Sequence, residues 1–160
     1  MWVGKESEFS MTYKTKDQGF TIIELLIVIV VIGILVFLIF STLSGVKQKE
    51  RNTERQTDIK ALQAAVESYY AQNSRYPTLA NMNDSAFRTA NLKTLEDDNL
   101  KDPQGAEAKL VDKPAAQVYS YAVFASDRST PCDNSKKDCV TYTLTATTEG
   151  GGKFEKTNLN

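Results

Sequence analysis

The chain of 160 residues has 19 lysines and arginines against 20 aspartates and glutamates, so its net charge of -1 gives no general attraction to nucleic acid. It contains no histidine, which excludes Ser-His-Asp and Cys-His catalysis and removes the commonest metal ligand. We therefore expect a protein that is not an enzyme and that needs no cofactor. The length allows one domain and an anchor.

Residues 1–19 form a hydrophilic leader that has no apolar core of its own. Its charged residues are Lys5, Lys14 and Lys16 against Glu6, Glu8 and Asp17. An ordinary secretory signal has an apolar stretch before its cleavage site, so this leader is of a different kind. Translation from Met11 would leave a shorter leader. The alternative interpretation is an uncleaved signal anchor with a cytoplasmic tail.

Residues 20–40 form a run in which only Thr21, Glu24 and Gly33 are not apolar. As a helix rising about 1.5 Å per residue, the run is roughly 30 Å long, which matches the hydrocarbon thickness of a bilayer. The mean hydropathy of the whole chain is only -0.35, so the rest of the chain is markedly polar. The run is predicted to span a membrane. Glu24 is a functional candidate because a carboxylate is costly in lipid.

The sequence Gly-Phe-Thr-Ile-Ile-Glu at residues 19–24, behind a hydrophilic leader and before an apolar run, resembles the N-terminus of type IV pilins and pseudopilins. In that family a membrane-embedded aspartyl peptidase cuts after the glycine and methylates the new N-terminal residue. The resemblance implies cleavage between Gly19 and Phe20, N-methylation of Phe20 and a role for Glu24 in assembly. It is close over residues 16–76 and architectural beyond them.

The same resemblance implies the partners and the location of the protein. The partners are other copies of the chain in a filament, the prepilin peptidase and methyltransferase, the assembly platform with its ATPase machinery, and the membrane. The protein is expected in the bacterial cytoplasmic membrane with its N-terminus in the cytoplasm, and in an extracellular pilus filament after assembly. The charges after the span do not settle this orientation. They are Lys47, Lys49, Arg51 and Arg55 against Glu50 and Glu54.

An amphipathic pattern follows the span, with Ile59, Leu62, Val66 and Tyr69 or Tyr70 at helical spacing. Many pilins have a proline near the end of the span, whereas residues 41–45 read Ser-Thr-Leu-Ser-Gly, which weakens a helix much less. The helix is predicted to continue to about Gln72. It should end before Pro77, because the residue preceding a proline is pushed out of the helical region.

The segment 74–116 is polar and predicted to be a long connection with one or two helical turns. Asp84 and Ser85 are expected to cap a short helix through Leu95, with a loop at 96–99. The sequence Asp-Pro-Gln-Gly at 102–105 indicates a turn of a kind found in pseudopilins and many Gram-positive-type pilins. We assign no metal. Calcium, which some relatives bind nearby, stays open as an alternative with Asp97, Asp98, Asp102 and Asp112 as carboxylates.

Three strands are predicted in the last part of the chain, at 118–125, 140–147 and 153–156. In the second, Val140, Tyr142, Leu144 and Ala146 alternate with threonines that should face water. An antiparallel sheet packed on the amphipathic part of the long helix gives an α+β fold of pilin type. The predicted division is a leader at 1–19, a membrane-spanning assembly helix at 20–40, its continuation at 41–73, a loop region at 74–116 and a sheet head at 117–160.

Cys132 and Cys139 bracket a polar loop between the first two strands. In a head outside the membrane this arrangement favours a structural disulfide. A redox site would more naturally have the spacing Cys-x-x-Cys, and a zinc site needs more ligands than two cysteines. Lys136 and Lys137 in the loop could contact DNA phosphates, but the neighbouring aspartates favour a solvated turn, so nucleic acid is not expected as a specific partner.

Three classes of function follow from these features. The first is a structural subunit of a type IV pilus that serves adhesion, surface motility or DNA uptake, and the second is a pseudopilin of a type II secretion system. The third is a membrane-anchored binding or receptor module that does not assemble. The register of Gly19, Phe20 and Glu24 separates the first two classes from the third, because an ordinary anchor has no need of it.

Overall fold

The computed structural model describes residues 19–159, without the side chains of residues 41–43. Residues 1–18, which make up nearly all of the predicted leader, lie outside the described part. The chain divides into two compact units, residues 1–42 and residues 43–160. Each unit is considered by itself below.

A single helix, α1, runs over Ile22–Asn73, which is 52 residues, and ends one residue beyond the predicted position. It is helical through residues 41–45, where the family often has a proline. The helix ends because Ser74 takes a left-handed conformation with φ 55°. The amide of Ser74 still donates to the carbonyl of Tyr70 at 2.7 Å, which satisfies one of the carbonyls in the last turn.

The apolar part of α1 in the first unit leaves its side chains exposed. From Phe20 to Phe40 the large apolar side chains are 44% to 87% accessible. The helix is long and apolar enough to cross a membrane. Such a surface is stable only in lipid or against other apolar surfaces, so this unit fits a membrane anchor.

Two short helices follow α1 in the second unit. Helix α2 spans Leu79–Asn83 and begins with a capping box, in which Thr78 accepts from the amide of Asn81. Helix α3 spans Ser85–Asn91, and the carboxylate of Asp84 accepts from the amide of Ala86 at 2.9 Å, as expected for its cap.

Two expectations for the connection were wrong. Helix α3 ends at Asn91 rather than near Leu95, because Leu92 leaves the helical conformation and is buried. The segment Asp97–Leu100 forms a 3-10 helix rather than a loop. Both departures have the same physical reason, since Leu92, Leu95 and Leu100 must all turn into the core.

The three predicted strands are present as β1 at Ser120–Phe124, β2 at Thr141–Thr147 and β3 at Lys153–Thr157. They form an antiparallel sheet in the order β1-β2-β3. The turn between β2 and β3 uses Gly150 and Gly151 with φ 101° and 87°, which residues with a side chain rarely adopt. The threonine face of β2 is not entirely solvated as predicted, because Thr145 is buried.

The hydrophobic core lies between the sheet and the amphipathic part of α1. Ile59, Leu62 and Val66 of the helix are fully buried together with Tyr121 and Leu144 of the sheet. This arrangement confirms the predicted α+β class, in which a long helix packs on a small antiparallel sheet. The predicted core face of the helix is also correct.

Buried tyrosines extend the core, and the hydroxyl groups of Tyr121 and Tyr142 are hydrogen-bonded. Tyr142 donates to Glu67 at 2.7 Å, and Tyr121 donates to the carbonyl of Pro77 at 2.8 Å. The ring of Tyr76 lies 4.7 Å from that of Tyr142 in an edge contact. Burial, followed by the hydrogen bond to Glu67, raises the pKa of Tyr142, so this hydroxyl stays a donor at all physiological pH values.

Arg55 is buried with Asp102 in an ion pair that the sequence analysis did not foresee. The guanidinium donates to both carboxylate oxygens of Asp102, at 2.6 Å and 2.9 Å, and both side chains are 1% accessible. Both carboxylate oxygens of Asp102 therefore accept from the guanidinium of Arg55. Among residues 19–159 no group of three or more carboxylates or cysteines is arranged to hold a metal ion.

The turn at residues 102–105 places Asp102 for this pair. The amide of Gly105 donates to the carbonyl of Asp102 at 2.7 Å, which confirms the predicted turn. A Cβ on Gly105 would lie 2.7 Å from the carbonyl oxygen of Gln117, so this position has no room for a side chain.

We expect Asp102→Asn to lower the free energy of unfolding of the second unit by about 3 kcal/mol, because it leaves a buried guanidinium without its main carboxylate. Urea unfolding of the detergent-solubilised protein, followed by near-ultraviolet circular dichroism of the tyrosines, measures the loss. Asp98→Asn is the matched control, since Asp98 is exposed on the adjacent 3-10 helix. Equal stability of the two variants would contradict this role for the pair.

Cys132 and Cys139 form the disulfide that the sequence analysis favoured, with their Cα atoms 5.2 Å apart. The loop between them is also tied to the chain after α1. The side-chain amide of Asn134 donates to the carbonyl of Tyr76 at 2.7 Å, and the amide of Tyr76 donates to the carbonyl of Cys139 at 2.7 Å. The disulfide therefore closes a loop that is hydrogen-bonded to the segment just after the long helix.

Replacing both cysteines by serine should lower the free energy of unfolding by about 2 to 3 kcal/mol, because a closed loop of this size restricts the unfolded chain. The same urea titration measures the effect. Wild-type protein under reducing conditions is the control and should show a similar loss. Unchanged stability in both samples would contradict the expected contribution.

Candidate functional site

The start of α1 places the three residues that the sequence analysis assigned to processing and assembly. Gly19 and Phe20 precede the helix, Thr21 is its cap, and Glu24 is its third residue. They are consecutive or one turn apart, so the backbone alone brings them together. The disulfide belongs to the second unit and has no part in this site.

Thr21 and Glu24 satisfy the first amides of the helix reciprocally. The amide of Glu24 donates to Oγ1 of Thr21 at 3.3 Å, and the amide of Thr21 donates to Oε2 of Glu24 at 3.3 Å. The hydroxyl of Thr21 also donates to Oε2 of Glu24 at 3.4 Å. This is a capping box, in which a negative charge lies at the positive end of the helix dipole.

The capping box fixes where the carboxylate of Glu24 points. Because Oε2 accepts from the amide of Thr21, the carboxylate folds back towards the beginning of the helix, beside Phe20. The surrounding side chains of Phe20, Ile22, Ile23 and Leu25 are all exposed. The site is a single carboxylate held in an apolar, outward-facing surface.

Gly19 is not required by the packing of the chain itself. A Cβ placed on Gly19 would have no described heavy atom within 4 Å, and this glycine has no positive φ. Any need for glycine here would therefore come from a second molecule that binds the backbone closely. A peptidase that grips an extended chain is one such molecule.

Thr21 is the site residue that the sequence analysis missed. The signal was present, since Thr-x-x-Glu before an apolar helix is the sequence pattern of a capping box. The surrounding apolar run is the stronger pattern, and Thr21 is one of its few polar interruptions. Its backbone amide and its hydroxyl both donate to Oε2 of Glu24, which explains how Glu24 is oriented within one chain.

A family model described as "prokaryotic N-terminal methylation motif" matches residues 14–40. The chain thus carries a prepilin-type N-terminus, which confirms the resemblance found from residues 19–24.

Curated relatives of this chain include type II secretion proteins and a type IV pilin. The type II secretion system core protein G of Aeromonas hydrophila is 42% identical over 65 residues, which are 41% of this chain and 46% of the relative. The protein of the same name from Vibrio cholerae is 41% identical over 63 residues, 39% of this chain and 43% of the relative. The type IV major pilin protein PilA of Myxococcus xanthus is 33% identical over 69 residues, 43% of this chain and 31% of the relative.

The matched part of the chain thus spans less than half the length of these relatives. No solved structure matches the chain. The homology is to secretion pseudopilins and to a type IV pilin alike.

We expect Gly19→Leu to abolish cleavage of the bond between Gly19 and Phe20, because a side chain would occupy space needed by a peptidase that holds the backbone. Mass spectrometry of the N-terminal peptide from membranes measures the products, with a mature chain that starts at N-methylated Phe20 in the wild type. Gly33→Leu is the control, since Gly33 also has open space around it but lies in the helix. Processed chains in the Gly19→Leu sample would contradict the assignment.

Proposed function

We propose that this chain is a pseudopilin, a filament subunit of a type II secretion system, cleaved after Gly19 and assembled through its N-terminal helix. The observation that carries the proposal is the 42% identity over 65 residues to the type II secretion system core protein G. The exposed apolar surface of residues 20–40 supports it, because the described part of the chain leaves that surface uncovered. The capping box supports it too, because it turns the carboxylate of Glu24 towards the start of the helix.

The proposed sequence of events begins with insertion of residues 20–40 into the cytoplasmic membrane, with the leader in the cytoplasm. Prepilin peptidase removes residues 1–19 and methylates the amine of Phe20. The assembly platform and its ATPase then move the subunit out of lipid. The apolar side chains that faced lipid come to pack against the helices of other subunits, so the same surface serves both environments.

Glu24 gains a new neighbour in this proposal when the leader is removed. The amine of Phe20 is then a cation, four residues before Glu24 and on the same face of the helix. The capping box already turns the carboxylate towards that end of the helix. In a bundle of staggered helices the amine of an arriving subunit could pair with Glu24 of a subunit already in the filament, which would set the axial register.

A type IV pilus subunit is the second candidate, and the similarity to PilA of Myxococcus xanthus favours it. On the features of the sequence alone, the pilus is the first candidate and secretion the second. The similarity to the secretion proteins reverses that order, since their identity is higher over a comparable length. Adhesion, motility and DNA uptake would follow only from the pilus.

Deletion of the gene in its own organism separates the two candidates. The proteins of the culture medium are compared by mass spectrometry, and surface filaments are counted by electron microscopy. A pseudopilin predicts loss of a set of exported proteins with unchanged surface filaments, restored by the wild-type gene. Loss of surface filaments with an unchanged set of exported proteins would establish the pilus instead.

Glu24→Gln should yield protein that is inserted and cleaved but is absent from filaments. Glutamine keeps the hydrogen bonds of a capping box and removes the charge, so the variant tests the ion pair alone. Removing one member of a buried pair costs on the order of 3 to 5 kcal/mol. The measurement compares the amount of subunit in filaments sheared from cells that overproduce the system with the amount in membranes.

Thr21→Ala is the matched control for this variant. It removes the hydroxyl that caps the helix, at a cost of about 1 kcal/mol to the helix. It keeps the carboxylate and the backbone amide of residue 21 that donates to Oε2 of Glu24. We expect it to assemble nearly normally. Filaments of normal number and length from Glu24→Gln would show that the acid is only a helix cap.

A further inference from the structure

The exposed charges of the second unit are unevenly distributed around α1. Three lysines form a surface that we call the basic flank, namely Lys49 and Lys60 on α1 and Lys156 on β3. Eleven residues separate Lys49 from Lys60, which is close to three turns, so both lie on one line of the helix. The ammonium nitrogens of Lys60 and Lys156 lie 6.0 Å and 5.7 Å from the centroid of the Phe154 ring. Two positive charges are therefore held beside one ring.

The basic flank is not neutralised by the carboxylates around it. Across residues 19–159, none of its three lysines takes part in an ion pair. Successive side chains of a strand point to opposite faces, so Glu155 points away from Lys156, and it accepts from the hydroxyl of Thr145 at 3.5 Å. Glu67, two turns beyond Lys60, accepts from the hydroxyl of Tyr142 at 2.7 Å. The positive charge of this flank is therefore available to another molecule.

An acidic flank lies across the exposed face of α1 from these lysines. Glu50 and Glu54 are one turn apart, and Asp58 follows after one more turn. The side-chain amide of Asn99 in the 3-10 helix donates to Asp58 at 3.0 Å, which places the exposed Asp98 beside this row. We call Glu50, Glu54 and Asp98 the acidic flank.

The acidic flank is also without compensation in the described part of the chain. No ion pair there includes Glu50, Glu54 or Asp98. The exposed cations Lys47 and Lys101 border the row, but neither forms an ion pair with it. Like charges four residues apart on a helix repel each other, so the row of acids costs the single chain some stability. A basic surface of a second molecule would remove that repulsion.

The face of α1 between the two flanks is smooth. Its exposed residues include Thr53, Thr57 and Ala64, which are small and lie on the side of the helix opposite the buried Leu62. Small residues let another chain approach the helix closely. Because one rigid helix carries both flanks, a chain cannot pair its basic flank with its own acidic flank. The complementary surface must come from a second molecule.

We propose that the basic flank of one copy binds the acidic flank of the next copy. The chain supplies both members of the contact, and their charges are complementary, which sets the choice of partner and the register of the contact. The contact joins two different surfaces, so it repeats from copy to copy and propagates along a filament. This inference rests on the proposed function and deepens it, because it names the side of the second unit that meets the next subunit.

Charge reversal and its rescue test the contact. Lys60→Glu together with Lys156→Glu gives a chain that is acidic on both flanks. Glu50→Lys together with Glu54→Lys gives a chain that is basic on both flanks. Like charges placed face to face lower an affinity by more than about tenfold. We therefore expect each double variant alone to reduce the amount of subunit in sheared filaments at least about tenfold, and coexpression of the two to restore it, because acidic and basic chains can then alternate.

The matched control reverses two lysines outside both flanks. Lys136→Glu together with Lys137→Glu changes the exposed disulfide loop and should leave assembly normal. A chain that fails to fold is not rescued by a second chain that fails to fold, so coexpression separates loss of the contact from loss of the fold. Normal assembly of either flank variant alone, or coexpression that restores nothing, would overturn the proposal.

Zero-length crosslinking within wild-type filaments identifies the contact directly. A carbodiimide joins an amine to a carboxylate that touches it, and cells shifted from light to heavy nitrogen supply filaments of mixed subunits. Crosslinked peptides of hybrid mass that join Lys60 or Lys156 to the acidic flank would support the proposal. Filaments whose hybrid peptides never join these two flanks would overturn it and leave the filament function intact. Absence of any filament from processed wild-type subunits would overturn both.

Discussion

The buried guanidinium of Arg55 holds together three parts of the chain that are far apart in sequence. It donates to Asp102 in the turn after the 3-10 helix, to Gln104 in the same turn and to Glu149 at the start of the turn between β2 and β3. Arg51 also donates to Glu149, and this bond, with that of Arg55, lowers the pKa of Glu149 to about 2. One turn of α1 therefore fixes the position of the long connection and of the turn between β2 and β3.

This network of buried charges has a desolvation cost that the packing of apolar side chains does not have. Two charges are removed from water, and they stabilise the fold only because the remaining donors of Arg55 also find acceptors. At Asp58, one turn further along α1, burial and hydrogen bonding also oppose each other. Burial raises the pKa of Asp58, opposed by hydrogen bonds from the hydroxyl of Tyr119 and the side-chain amide of Asn99. Polar pairs of this kind specify which segment lies against the helix, whereas the apolar residues Ile59 and Leu62 would accept many partners.

The features predicted from the sequence are those that depend on local patterns. The end of α1 near Pro77, the three strands and the cap of α3 at Asp84 follow from periodicity and from the preferences of single residues. The pair of Arg55 and Asp102 could not be predicted, because 47 positions separate its members and each has several charged neighbours. The 3-10 helix was missed because tertiary burial of Leu100 outweighs the loop preference of an acidic segment. At the candidate site the capping box is predictable from Thr21 and Glu24, but the apolar run around them is the stronger pattern and the box was missed.

The N-terminal segment does not distinguish secretion from a pilus, and the reason is physical. An apolar helix with one oriented carboxylate can insert into lipid and can pack with copies of itself, whatever the filament does. A single family model accordingly matches residues 14–40, and curated relatives of both kinds share similarity with this chain. Under either proposed function, what separates a secretion subunit from a pilus subunit must then lie in the surfaces of the second unit. There the large apolar side chain of Leu159 is exposed and one edge of the sheet is incompletely paired. The side chain of Leu159 is not part of the core, so a different residue at this position would leave the packing of α1 on the sheet unchanged.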